Sequence, residues 1–539
     1  MLALRRHSAI CPSPPSRSAR TALGTRGANL LLLLATCLAG IVGDVAAARA
    51  ADKLPRVLLR GGTIYDGSGS PPFVGDVLIA DGKISALGRP DKPLPKSEVD
   101  ATLDCAGLIV TAGFIDLHNH SDTPIVQSAT RDGRNYLTQG CTTLVTGNCG
   151  AGQVDVAKYF QQLDKNGVGV NVVHLVPAGA VRNRVMGAVN RPPSAEELER
   201  MQALVAEGMQ GGAFGMSTGL IYVPGAYADT AEITALARIV GQQGGIYASH
   251  IRGEGKTLLD AVTEAISIGR DAKTPVHVSH FKASGRDYWG GVRAASQLIE
   301  KARAAGQTVT ADQYPYTASS TSLAAMLLSS GAREGSSKDL AERLKDPQKL
   351  PALRKEIAGN LADRVTIQIA AYKPRPEWSG KSLDELAKQN NSDPTDIAIE
   401  ILQNGGASAV SFSMSEEDVR FVMQQPWVAT ASDGAVKVAD DSKLHPRSYG
   451  TFTRKLGRYT LQENVLPLPQ AVRSCNGLPA DILGLEDRGY LKEGYAADIT
   501  VLDPQTVMDK ATYEKPFEHS EGVRHVLVNG RWAIRDGQP

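Results

Sequence analysis

Residues Thr142–Gly150 read TTLVTGNCG. A run of β-branched and apolar residues breaks off at Gly147-Asn148 and delivers a single cysteine, Cys149. A short apolar run bounded by glycine reads as a buried strand. Seven further runs in the chain are built the same way, namely FIDLHNH, NVVHLVP, AFGMSTG, GIYASHI, PVHVSHF, TVTADQYPY and WVATASDG. Helical text separates most of them, which is the pattern of a parallel α/β fold. Eight such units predict a (β/α)8 TIM-like barrel, whose chemistry sits at the C-terminal ends of the strands. A free cysteine is often just a small buried residue. Whether Cys149 is one depends on what ends the other strands.

Those ends carry ligand-type residues. His118 and His120 close the first run as His-x-His, and strand alternation points both rings to one side, where they can share an ion. His250 closes the fifth run, His280 the sixth and Asp433 the eighth. With Cys149 they make six ligand-type residues on one predicted face, too many for chance placement of core histidines. His277 falls on the opposite strand face from His280 and reads as structural, as does His174 inside the third run. Glu254 and Arg252 follow His250 closely and suit either a supporting role at the site or a scaffold salt bridge.

The flanks bound the rest. The chain has 539 residues, 42% hydrophobic and 21% charged, with formal net charge +1. This is a soluble, globular balance, and it lacks the positive footprint of a nucleic-acid binder. Residues 1–50 read as a signal peptide: an Arg-rich lead, the apolar run Leu30–Val42, then small residues at Ala48 and Ala50. That run is too short for a confident membrane span, so export is expected, with no stable span after cleavage. Cys11 and Cys37 leave with the leader. Cys105, Cys141, Cys149 and Cys475 are too scattered for a disulfide framework. Residues 54–111 and 487–539 share short alternating strands with DG and NG turns, which predicts one small β-sandwich built from both termini. Residues 112–486 are then the barrel, with a helical insertion over about 320–425.

Taken together, GFIDLHNHSD, GNCG, SHIRGE, SHFKASG, DQYPYTASST and SDG…HPRSYGTF resemble the N-acyl-D-amino-acid deacylase (D-aminoacylase) family of the amidohydrolase superfamily, from about residue 55 to the C-terminus. The resemblance implies that Cys149, His250 and His280 hold a tight Zn²⁺. It also implies that His118 and His120 form a second, weaker metal subsite, with Asp433 as its aspartate and as catalytic base. Lys282, Tyr314 and Arg447, with Ser320 in the same region, match the residues that bind the substrate carboxylate. The implied reaction is hydrolysis of a small-molecule N-acyl-D-amino acid to a carboxylic acid and a free D-amino acid.

Two departures stand out. Ala112 replaces the proline common before the first-strand motif, and the segment from SDG to HPR is longer than usual, which leaves the place of Arg447 to be tested. The alternatives are a dihydroorotase- or hydantoinase-like cyclic-amide hydrolase and a metal-bound non-catalytic binding protein. Against the first, AFGMSTG has no lysine to carboxylate, and no arginine stands two places after His-x-His. Against the second, a binding scaffold has no need of Asp433.

Overall fold

The computed structural model describes residues 4–6 and 54–538. Eight parallel strands form the centre: β1 (Phe114–Asp116), β2 (Cys141–Thr146), β3 (Asn171–His174, continued as Val176–Pro177), β4 (Gly215–Gly219), β5 (Ile246–His250), β6 (Val276–Val278), β7 (Val309–Gln313) and β8 (Val428–Thr430). Every residue of β1–β8 is buried, as parallel strands covered by helices should be. The pairing runs unbroken from β1 to β3 and from β3 to β8. At Leu175 the third strand changes partner: Leu175 N donates to Thr146 O at 2.9 Å on one side, and Phe214 N to His174 O at 3.0 Å on the other. The ring closes between β1 and β8, where Asp433 N donates to His118 O at 2.8 Å and His120 N to Gly434 O at 2.7 Å. This is the expected barrel.

Strand alternation sorts the side chains into two sets. Phe114, Leu144, Val172, Met216, Tyr247, Val276 and Val309 belong to the large core shared with the surrounding helices. Ile115, Leu117, Val145, Val173, Leu175, Phe214, Ile246 and Ala248 form a separate cluster that fills the barrel, joined by Leu478 and Leu483. Leu4 packs on that cluster too, and Leu4 N donates to Val172 O at 2.9 Å. Arg6 N donates to Gly212 O at 3.2 Å, so residues 4–6 contact the folded chain, whereas the sequence pattern alone leaves residues 1–50 outside the fold. The apolar run Leu30–Val42 and the expected cleavage point near Ala50 lie outside the described residues. No helix among the described residues is long and apolar enough to cross a membrane.

The termini meet in one eight-stranded sheet. Ile109–Ala112 from the N-terminal side pairs antiparallel with Ile499–Leu502 from the C-terminal side, Ile499 opposite Ala112. The sheet folds over on itself, because Ile84 N donates to Tyr495 O at 2.8 Å and Ala497 N to Gly82 O at 2.9 Å. Val57, Leu59, Ile64, Val77, Ile79, Val110 and Val501 fill the space between its halves.

The segment between β7 and β8 builds a unit with its own core, around Leu327, Leu344, Ile357, Ile369, Leu386 and Ile401. Its three-stranded sheet, Ala318–Ser322, Ser408–Phe412 and Thr366–Ala371, hangs beside the C-terminal face of the barrel. Helix Glu416–Met423 buries Val419, Val422 and Met423 in the barrel core instead. The insertion thus stops before that helix, short of the position near 425 that its charged text suggests.

Candidate active site

His118, His120, Cys149, His250, His280 and Asp433 all stand at or just past the C-terminal ends of their strands. Cys149 Sγ lies 3.2 Å from His118 Nε2, 3.6 Å from His250 Nδ1 and 3.8 Å from His280 Nε2. Asp433 Oδ1 lies 3.0 Å from His120 Nε2 and 3.5 Å from His118 Nε2. His118, expected in the weaker subsite, is therefore the imidazole nearest the thiol and stands between the two groups.

Holding these atoms so close takes unusual backbone. Cys149, His280 and Asp433 have φ of 51°, 34° and 51°, a left-handed conformation that costs a side-chain-bearing residue roughly 1–3 kcal/mol. The glycines around Cys149 serve the same turn. A Cβ on Gly147 would lie 2.0 Å from Leu175 O, and one on Gly219 2.1 Å from Cys149 O.

The electrostatics fit a shared cation. Burial alone would raise the Cys149 thiol, but His118 beside it, with hydrogen bonds from His118, His120 and His250, brings it well below its ordinary value. Burial opposes protonation of His118, yet Cys149, Asp433 and Asp312 push it well above the usual imidazole range. Burial and the neighbouring His280 lower His250. Asp433 is held well down against burial, chiefly by Arg447 and His118. The buried nitrogens His118 Nδ1 and His250 Nε2 make no hydrogen bond. A thiolate, crowded imidazoles and a carboxylate form a donor set that suits Zn²⁺.

A cavity of about 560 Å³ opens over this cluster, lined by His120, Cys149, Tyr222, Ser320, Asp433 and Arg447 among others. Arg447 Nη1 donates to Asp433 Oδ2 at 2.7 Å, and Nη2 to Ser320 O at 3.1 Å. Ser320 presents only that carbonyl to Arg447; its hydroxyl donates to Ala409 O at 2.9 Å. The Tyr314 ring lies under both cations, 5.0 Å from the Arg447 guanidinium and 5.7 Å from Lys282 Nζ. Its buried hydroxyl makes no hydrogen bond. Lys282 Nζ donates to Glu254 Oε1 at 2.5 Å. The long SDG-to-HPR segment therefore still delivers Arg447 to the cavity.

The remaining candidates separate cleanly. His277 is held by Thr310 at 2.9 Å and Asp312 at 2.8 Å, and His174 by Thr146 at 2.8 Å and Gln153 O at 2.9 Å. Arg252 pairs with Glu264. All three belong to the scaffold. Sequence reasoning passes over Asp312, whose Oδ1 accepts from His280 N at 2.6 Å and whose Oδ2 lies 3.5 Å from His118 Nδ1. An aspartate on a buried strand, one residue before Gln313-Tyr314, is the available signal. It passes over Asp116 as well, which accepts from Asn119 Nδ2 at 2.9 Å and from Ser432 N at 2.8 Å, and so ties β1 to β8 beneath the site.

Comparison with known proteins agrees with this geometry. The amidohydrolase family profile matches residues 101–336 and 381–534. The N-acyl-D-glutamate deacylase of Alcaligenes xylosoxydans xylosoxydans is 35% identical, over 88% of this chain and 92% of its own. The D-aminoacylase of the same organism is 35% identical, over 88% and 93%. The crystal structure of N-acyl-D-glutamate deacylase from Bordetella bronchiseptica, complexed with zinc and a phosphonate inhibitor, superposes with a TM-score of 0.77 at 34% identity, covering 90% of this chain and 99% of that one. The barrel, the folded terminal sheet and these relatives agree: the chain belongs to the amidohydrolase family, among the D-aminoacylases.

Proposed function

We propose that this protein is a zinc-dependent hydrolase of the amide bond in N-acyl-D-amino acids, releasing a carboxylic acid and a free D-amino acid. The observation that carries the reading is the Asp433–Arg447 pair at 2.7 Å. It sets a proton acceptor against the thiol–imidazole cluster and a carboxylate-binding fork immediately beyond it.

Cys149, His250 and His280 would hold the tight ion, and His118, His120 and Asp433 a weaker second one. When bound, zinc supplies Lewis acidity to the amide carbonyl and lowers the pKa of water towards about 7. Asp433 accepts the proton of the attacking water and returns it to the departing nitrogen as the C–N bond breaks. Arg447 and Lys282 bind the α-carboxylate, the guanidinium fork fixing its orientation. Tyr314, buried under both cations, has a free hydroxyl to add. Together they hold the scissile carbonyl over the cluster.

The test is a panel of N-acetyl-D- and N-acetyl-L-amino acids and dihydroorotate, assayed with zinc-loaded protein. Turnover of the D series alone is expected; preferential ring opening of dihydroorotate would overturn the reading.

We also infer export, with processing after about Ala50, supported by the charged lead, the Leu30–Val42 run and the small residues before position 51. The contacts of Leu4–Arg6 are then those of the unprocessed chain. N-terminal sequencing of protein recovered from the producing cells checks this: a start near residue 51 is expected, and a retained Leu4 would sink it.

A further inference from the structure

Glu254 stands on the loop after β5, yet its carboxylate serves two residues of the loop after β6. Its Oε1 lies 2.9 Å from His280 Nδ1 and 2.5 Å from Lys282 Nζ. Glu254 also accepts Ser284 N at its backbone carbonyl, at 2.7 Å, so the two loops are pinned together at this point. The side chain is only 15% exposed, and a buried carboxylate held by two partners is not incidental surface charge.

The proton count makes the contact consequential. Lys282 Nζ also lies 2.8 Å from His280 Nδ1. Without an acceptor oxygen at the Glu254 position, the ammonium would donate to the Nδ1 lone pair, and the ring would carry its proton on Nε2. That is the nitrogen facing Cys149 at 3.8 Å, and a protonated nitrogen binds no metal. With Glu254 in place, Nδ1–H donates to Oε1, the ammonium turns to Oε1 and to His280 O at 3.1 Å, and the Nε2 lone pair is left for the ion. A carboxylate behind a ligating imidazole acts in this way in many metal sites.

We propose that Glu254 is a positioning residue: it fixes the His280 tautomer that can take zinc and holds Lys282 in place for the substrate carboxylate. The second half rests on the hydrolase reading above; the first does not.

The experiment compares zinc affinity, by chelator competition on the reconstituted full-length protein, for the parent, Glu254→Ala and Glu254→Gln, with a thermal melt of each. The Ala variant is expected to bind zinc about 10–100-fold more weakly. The Gln amide oxygen still accepts from Nδ1–H, so that variant should stay within roughly threefold of the parent, by the same reasoning. In the Gln variant Lys282 loses its charged anchor, so KM for N-acetyl-D-amino acids should rise with kcat little changed; an unchanged KM would overturn that half. Parental zinc affinity in the Ala variant would overturn the tautomer half. Equal zinc loss in Gln and Ala would also overturn it, making Glu254 a direct ligand or a purely structural group. If the parent bound zinc but left N-acyl-D-amino acids intact, the substrate reading would fail while the zinc comparison stood.

Discussion

Arg447 and Asp433 form one ion pair, Nη1 to Oδ2 at 2.7 Å, with both side chains almost fully buried. The cation assigned to the substrate carboxylate is thus also a partner of the assigned base. This changes what an arginine variant should do. Arg447→Met removes the fork and strips a neighbour that holds Asp433 ionised. Activity should therefore fall on N-acetyl-D-amino acids and on their α-amides alike, but unequally. A charge-assisted bond to a carboxylate is worth roughly 1.5–3 kcal/mol, so kcat/KM for the free acid should drop at least about tenfold further than for the amide. Parallel kinetics on the two substrates checks this, and equal losses would place the carboxylate elsewhere.

Asp433→Asn separates proton transfer from metal binding. Asn keeps the shape and the contact with His120 but has no proton acceptor at neutral pH. General-base contributions of about 10²–10⁴ set the expected loss in kcat. Zinc content by elemental analysis should keep the tight ion held through Cys149, His250 and His280. Near-parental turnover would demand another base.

Cys149→Ala tests the strand end TTLVTGNCG directly. The thiol lies within 3.8 Å of three imidazoles, and its loss removes the only soft donor of the cluster. Tightly bound zinc and turnover should disappear together. A chelated parent should lose activity and regain it on adding Zn²⁺. Full metal occupancy in the Ala variant would make Cys149 a buried structural residue after all.

The parts of this site that were legible in the sequence are those that local rules fix. A strand end, a two-residue alternation and a glycine turn place His118, His120, Cys149, His250, His280 and Asp433 without knowledge of neighbours. That both termini build one sheet, as the pairing of Ile109–Ala112 with Ile499–Leu502 realises, was legible because neither end has enough strands for a core. What stayed hidden depends on which side chains meet across loops. Glu254 reaches from one strand's loop to the next, Ser320 turns its hydroxyl to Ala409 O, and Asp312 serves His277, His118 and the His280 amide from inside the barrel. The Glu416–Met423 helix escaped notice because its charged first turn resembles the insertion, while Val419 and Val422, which anchor it, are too few to stand out.

Lys455 gives a prediction about stability. Its ammonium is buried and pairs with no carboxylate among the described residues; Nζ donates to Thr430 Oγ1 at 2.9 Å and Ser474 Oγ at 2.8 Å. Burial lowers it from its ordinary 10.5 to about 8. The folded chain thus binds fewer protons here than the unfolded chain between about pH 8 and 10.5, and this residue's contribution to stability rises with pH across that window. Below pH 8 the penalty is fully present, at most about 3 kcal/mol. Lys455→Met removes both the penalty and the two hydrogen bonds, so the pH dependence of its effect, and not its sign at one pH, reports the burial. The two hydroxyls keep each other, Thr430 Oγ1 to Ser474 Oγ at 3.0 Å, so neither is orphaned. Between pH 7 and pH 10.5 the parent should gain up to about 3 kcal/mol relative to the variant. The gain arises because the parent sheds the penalty across that window and keeps its hydrogen bonds. Melting both proteins at the two pH values cancels every other titrating group. The same Tm difference at pH 7 and pH 10.5 would show that burial does not lower the pKa of Lys455 in the folded protein.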